Sequence, residues 1–307
     1  MIQVALVSID YQDKALVRST EVIKMLENEA ESLFKNKCES KNFNVIHSEP
    51  FGVHVELLGP PMEGKPQVTV VGSALLLSDG GYLSTAAKAN YHPYGIDFPQ
   101  GLTGRFTNGL TVADIIGQLL GFSDFIPPYA NTTNQDITRG VNYGSGAAGI
   151  RDETGSNLTL YRLGARKIAV FGLGFIGCAP AEIAMFGTNG DCVESINSAT
   201  QLFNDRLKPL IDDLNNAFSD ARFTFINISS ISAPQEGVVL SNVPCCPIRS
   251  DGQCIPNSIP CPDRNLRVWY DGFHPTEVAN RALASRSYIA LSPMDASPYD
   301  ISRLAQL

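Results

Sequence analysis

The sequence predicts an α/β fold with a mostly parallel central sheet. Three observations point there. A short β-branched strand stands at 68–71, an apolar run that reads as a buried strand at 166–171, and a further strand at 222–228. Segments with apolar residues at helical spacing separate or follow them, at 111–120, 193–214 and 276–291. The chain has 307 residues, 44% of them hydrophobic, enough to build a large core in one or two domains. Alternating strands and helices fold as parallel βαβ units.

The elements follow in order. Residues 2–9 alternate as a strand does. Residues 19–34 place Val22, Ile23, Leu26, Ala30, Leu33 and Phe34 on one helical face, and 44–58 read as one or two strands. Gly59-Pro60-Pro61-Met62-Glu63-Gly64-Lys65-Pro66 has linker composition. This divides the chain into a segment 1–66, which carries no chemical motif, and a main domain 67–307. His47 and His54 read as surface or strand residues. The strand 68–71 ends at Gly72-Ser73. Thr111 caps the helix 111–120 and Gly121 stops it. Val193, Ile196, Phe203, Leu207, Leu210 and Leu214 mark the next long helix, in which Pro209 predicts a kink or break. Trp269 and Tyr270 read as the end of a buried strand. Pro275 and Thr276 open the last helix.

Charge and composition exclude some functions. The net charge is −8 and no basic stripe is visible, so nucleic acid is not an expected partner. No apolar run reaches the length of a membrane span. The first ten residues lack the basic start, apolar stretch and small-residue cleavage site of a signal peptide. The cysteines nevertheless suggest an oxidising compartment. Of seven, all but Cys38 lie beyond residue 177: Cys178, Cys192, Cys245, Cys246, Cys254 and Cys261. Their Pro- and Gly-rich surroundings read as loops stapled by disulfides. A zinc site is the rival reading, but there is no Cys-x-x-Cys pair and no histidine close by.

The most informative short motif is Asp271-Gly272-Phe273-His274, just before Pro275. Proline disfavours helix at the residue before it, so acid and imidazole belong on a tight loop. A carboxylate beside an imidazole sets its tautomer and stabilises the imidazolium, as a general base for a serine nucleophile requires. The bland reading is a turn aspartate and a capping histidine. A second motif, Gly172-Leu173-Gly174-Phe175-Ile176-Gly177, matches the G-x-G-x-x-G dinucleotide pattern after a strand. Its context fails. Pro180 forbids a long helix starting inside the motif, and Asp191 lies in a loop, not at the end of a second strand. His92, in Asn90-Tyr91-His92-Pro93-Tyr94, reads as a loop histidine.

Several segments together resemble the plant-type GDSL esterase/lipase family of SGNH hydrolases. They are 85–99 (Thr-Ala-Ala-Lys-Ala-Asn-Tyr-His-Pro-Tyr-Gly-Ile-Asp-Phe-Pro), Thr103-Gly104-Arg105-Phe106-Thr107-Asn108-Gly109, Gly140-Val141-Asn142-Tyr143-Gly144-Ser145-Gly146-Ala147-Ala148-Gly149-Ile150, 164–178 and 271–277. The resemblance covers about 67–307. It implies a three-layer α/β/α sandwich, incomplete here, that is secreted and disulfide-bonded. It implies hydrolysis of a small-molecule carboxylic ester through a Ser/His/Asp triad and an acyl-enzyme, with no metal and no organic cofactor. Asp271 and His274 fall on the family's catalytic pair. Gly146, or the adjacent Ala147, falls on its oxyanion position, and Gly72 is the other candidate donor.

The chain departs from the family pattern in two places. The family carries Gly-Asp-Ser-Leu after its first strand, whereas this chain reads Val71-Gly72-Ser73-Ala74-Leu75. Counting back from Thr85 without a gap puts Ser73 on the nucleophile. A gapped match to Leu77-Ser78-Asp79-Gly80-Gly81 puts Leu76 there instead. The family's Gly-x-Asn-Asp block, which lends an amide to the oxyanion hole, has no counterpart. Gly155-Ser156-Asn157 is similar but follows 151–154 directly and runs almost at once into Gly164. Loss of such a donor costs roughly 10²–10³ in turnover. The expected function is therefore a serine-type ester hydrolase built on Ser73, Asp271 and His274. The alternative is a non-catalytic relative that binds an acyl ligand or a partner. A nucleotide-binding oxidoreductase ranks third.

Overall fold

One sheet runs through the residues that the computed structural model describes, which are 2–6, 68–71, 87–128, 142, 166–232 and 242–307. Its strands are β1 (Ile2–Leu6), β2 (Val68–Val71), β3 (Lys167–Phe171), β4 (Arg222–Ile226) and β5 (Ala296–Ser297). The order is β2-β1-β3-β4-β5. Every pairing is parallel except the antiparallel join of β5 to β4. β1 lies between β2 and β3, with Gln3 in register with both Thr69 and Ile168. The fold is α/β with a mixed, mostly parallel sheet.

The reason lies in β3 and β4. Ile168 and Val170 point to one face, Ala169 and Phe171 to the other, and all four are buried. Phe223 and Phe225 join the first face and Ile226 the second. A strand apolar on both sides needs cover on both sides. On one face lies α3 (Glu194–Ala217), whose Phe203, Leu207 and Ile211 recur every four residues and form a single apolar stripe. On the other lie α1 (Val112–Leu119), α4 (Ile228–Ile231), α5 (Glu277–Tyr288) and α6 (Ile301–Gln306), contributing Ile116, Ile231, Leu283 and Leu304. The short α2 (Pro180–Phe186) follows β3.

Local signals set the helix ends. Thr111 and Asp114 form a capping box on α1, and Gly121 takes φ +88° just past its end. Thr276 caps α5 and Asp300 caps α6 through their side chains.

Three sequence expectations are corrected. The helix containing Pro209 is not broken there; α3 runs unbroken from 194 to 217. Proline removes one helical hydrogen bond. Here Pro209 and Asp205, whose carbonyl loses its donor, are both exposed, so the lost bond falls on the solvent side of the helix, where its cost is smallest. The buried stripe on either side holds the helix together. Second, the strand expected over 222–228 stops at Ile226, because Asn227 caps α4 by accepting from Ser230 N at 3.2 Å. Third, Trp269 and Tyr270 do not end a strand. They enter a tight turn closed by a single antiparallel bridge between Trp269 and Pro275.

The cysteines beyond residue 177 form three disulfides, Cys178–Cys192, Cys245–Cys261 and Cys246–Cys254. Cys38, His47, His54 and the expected elements at 19–34 and 44–58 lie outside the described residues.

Candidate active site

The turn between Tyr270 and Thr276 carries the site. Its base is closed by Tyr270 N–H donating to the His274 carbonyl at 2.8 Å. Thr276 N–H donates to the Val268 carbonyl at 2.8 Å, and its hydroxyl to the Arg267 carbonyl at 2.5 Å. Asp271 then organises the turn from within. Its Oδ1 accepts the main-chain N–H groups of Phe273 and His274, both at 2.8 Å. This is the aspartate side chain's ordinary capacity to satisfy the backbone a few residues onward.

The same carboxylate holds the imidazole. His274 Nδ1 lies 2.8 Å from Asp271 Oδ2 and 2.9 Å from Oδ1. A carboxylate accepts, so Nδ1 carries the proton and Nε2 keeps its lone pair. Asp271 is fully buried, while the His274 side chain remains 11% exposed. Phe106 stacks on the imidazole, with ring centres 4.6 Å apart and an interplanar angle of 26°.

A further group on Asp271 carried no sequence signal of its role. The Tyr94 hydroxyl donates to Asp271 Oδ2 at 2.6 Å. It accepts the N–H of Cys254 at 3.0 Å, inside the loop closed by Cys246–Cys254. Burial, reinforced by the charge of Asp271, pushes the Tyr94 phenol well above its ordinary range, so it is a fixed proton donor. The segment Tyr91 to Tyr94 reads as a loop, and its partner lies 177 residues away.

The neighbouring segment locks the helix behind the turn. Asn108 Oδ1 accepts from Glu277 N at 2.9 Å, Glu277 Oε2 accepts from Leu110 N at 3.1 Å, and Asn280 Nδ2 donates to the Leu110 carbonyl at 2.9 Å. The Gly272 carbonyl accepts from Ala181 N at 3.0 Å, and Gly272 N donates to the Gly252 carbonyl at 2.8 Å. Gly252 itself sits at φ +78°, and a Cβ there would meet the Phe273 ring at 2.3 Å. The acid–imidazole pair is thus tied to three separate stretches of chain.

Of the sequence-derived site residues, Asp271 and His274 are brought together. Ser73, Gly72 and Gly146 lie outside the described residues. His92 is an exposed residue whose carbonyl accepts from Asn257 N at 2.7 Å. Among the described residues no group of three or more His, Cys, Asp or Glu is arranged to hold a metal ion. No described helix is long and apolar enough to cross a membrane.

The glycine motif at 172–177 has a packing explanation. A Cβ on Gly172 would lie 2.7 Å from Asn204 Oδ1, and one on Gly177 would lie 2.3 Å from the Val193 carbonyl oxygen. Ile176–Cys178 is a single 3₁₀ turn, and Pro180 opens the short α2 behind it. No α-helix begins inside the motif.

Comparison with known proteins agrees with the motifs. A family model described as GDSL-like lipase/acylhydrolase matches residues 155–287. One GDSL esterase/lipase of Arabidopsis thaliana is 37% identical over 317 aligned residues, covering 73% of this chain and 88% of the relative. Two others from the same plant are 37% identical over 316 residues, covering 73% and 87%, and 36% identical over 346 residues, covering 81% and 95%. The first alignment is longer than the chain while taking in only part of it. The relative therefore carries residues between matched segments that this chain lacks.

Proposed function

Because the chain belongs to the plant GDSL esterase/lipase family, we propose that it is a serine-type hydrolase of small-molecule carboxylic esters, with Asp271 and His274 as its acid–base pair. The observation that carries the reading is the buried Asp271 carboxylate 2.8 Å from His274 Nδ1. That contact leaves Nε2 free to accept a proton.

In the proposed reaction Ser73 Oγ attacks the ester carbonyl carbon as its proton passes to His274 Nε2. The imidazolium, stabilised by Asp271, then protonates the leaving alcohol as the carbon–oxygen bond breaks. Water, deprotonated by the same nitrogen, hydrolyses the acyl-enzyme and returns the serine. Gly72 and Gly146 are the proposed main-chain donors to the oxyanion. The proposed complete fold is the family's three-layer α/β/α sandwich. Extracellular location is proposed on the family and on the three disulfides, which persist in oxidising compartments.

The test is hydrolysis of a short-chain p-nitrophenyl ester by the purified chain and by Ser73→Ala and His274→Ala. Each substitution is expected to lower kcat by at least ~10³-fold. A folded wild-type protein without activity rejects the hydrolase, and activity that survives both substitutions rejects the site.

A further inference from the structure

We propose that Tyr94 is a positioning residue for the acid–base pair: its phenol O–H, aimed by the Cys254 amide, anchors Asp271 Oδ2 and sets how strongly that carboxylate draws on His274. This rests on the hydrolase reading of Asp271 and His274 and deepens it.

The geometry divides the carboxylate into two halves. Oδ1 is held by the amides of Phe273 and His274, which belong to its own turn, and shares the imidazole Nδ1 at 2.9 Å. Among the described residues, Oδ2 has as partners only the imidazole and Tyr94. Without the phenol, only the imidazole would hold the outer oxygen of Asp271. Tyr94 is itself enclosed. It is fully buried, with Tyr91, Phe106 and Tyr270 around its ring at centroid distances of 5.3, 5.7 and 5.9 Å.

The hydroxyl has one proton and a fixed direction for it. Its oxygen accepts the Cys254 N–H at 3.0 Å, so the proton is left to point at Oδ2, 2.6 Å away. The Cys254 amide is anchored in turn. Cys254 is bonded to Cys246, and Cys246 N–H donates to the carbonyl of Tyr270, the residue before Asp271. Phenol and carboxylate are therefore tied to one scaffold, and their distance is set by covalent and main-chain links.

The electrostatic consequence has a sign. A third kind of donor on Asp271 spreads its negative charge and weakens its hold on the imidazolium. Removing the donor strengthens that hold and raises the pH at which His274 loses its proton. Strengthening the donor lowers that pH. Burial and the Asp271 charge keep the phenol protonated, so even a more acidic phenol stays a donor.

The experiment uses the full chain with Tyr94→Phe and, separately, with the more acidic fluorotyrosine incorporated at position 94. Two readouts are taken: the ascending limb of kcat/KM against pH, and the NMR titration of the His274 imidazole, identified by its absence in His274→Gln. Tyr94→Phe is expected to raise both midpoints by about half to one pH unit. It is also expected to lower kcat roughly five- to thirtyfold with little change in KM, as loss of a charge-assisted hydrogen bond would. Fluorotyrosine is expected to move both midpoints down, and it keeps the test available if Tyr94→Phe does not fold. Midpoints that stay at the wild-type value in both variants overturn the proposal, since a merely structural tyrosine changes thermal stability alone. The imidazole titration needs no turnover. An inactive wild type would therefore sink the hydrolase reading while the histidine shift still decides the role of Tyr94.

Discussion

Asp271 accepts the main-chain N–H of His274 at 2.8 Å and holds the same residue's Nδ1 within 2.9 Å. One carboxylate thus shapes the turn and orients the ring. Asp271→Asn separates the two tasks. The amide oxygen can still accept the turn's N–H groups, but its NH₂ cannot accept from Nδ1 and favours the wrong tautomer. The expected result is a fall in kcat of roughly 10⁴ with the fold retained, as for a triad aspartate. Esterase rates and far-UV circular dichroism check it.

Glu182 on α2 is a buried carboxyl outside the acid–base pair. It is 2% exposed, and its Oε2 has no hydrogen-bond partner among the described residues. Burial pushes it from 4.5 up to about 7. The folded protein therefore binds a proton there that the unfolded chain has already released. Its stabilising effect is complete below pH 4.5, declines as pH rises through about 7, and is absent above that. Glu182→Gln removes the decline. The variant is expected to gain on wild type as pH rises, by on the order of 1–3 kcal/mol at pH 8. Denaturant unfolding at pH 5 and pH 8 measures it, and an equal difference at both would refute the assignment.

Arg105 and Asp114 are both buried and joined by two bonds, from Nε at 2.8 Å and Nη2 at 2.6 Å. The guanidinium also donates to Thr103 Oγ1 at 2.7 Å and lies 3.9 Å above the Phe98 ring. Asp114 caps α1 as well. Arg105→Ala leaves that carboxylate buried and unpaired, with an expected cost of about 3–5 kcal/mol. Arg105→Lys loses the planar fork and is expected to recover only part of that. Unfolding midpoints of the two variants give the comparison.

Gly177 offers a test of the glycine motif. An added Cβ meets the Val193 carbonyl at 2.3 Å and Asn197 Oδ1 at 2.8 Å, beside the Cys178–Cys192 disulfide that limits relaxation. Gly177→Ala is expected to cost about 1–3 kcal/mol. Saturating NAD or NADP is expected to leave the wild-type melting temperature unchanged, whereas a true nucleotide site would be stabilised. Thermal melts with and without the nucleotides separate packing from binding.

Much of the fold was legible because its signals are local. The apolar runs of β3 and β4 report burial on both faces, and Thr111, Thr276 and Gly121 mark helix ends through side-chain and φ preferences that belong to single residues. Pro209 was misleading for the same reason. Its local preference is to break a helix, but packing of Phe203, Leu207 and Ile211 on the sheet outweighs one lost hydrogen bond. Trp269 and Tyr270 look like a strand by composition, yet strand pairing depends on neighbours that a short stretch cannot name.

What the sequence by itself determined is the α/β class, the family and the adjacency of Asp271 to His274. Three positions and a following proline are enough to bend acid and imidazole together. Only the tertiary structure decided that Tyr94 reaches Asp271 and that Phe106 stacks on His274. It also decided which cysteines pair. The two aromatic contacts join residues far apart in the chain, and the pairing of the cysteines was one choice among several; both follow from packing of whole segments rather than from the preferences of any one residue.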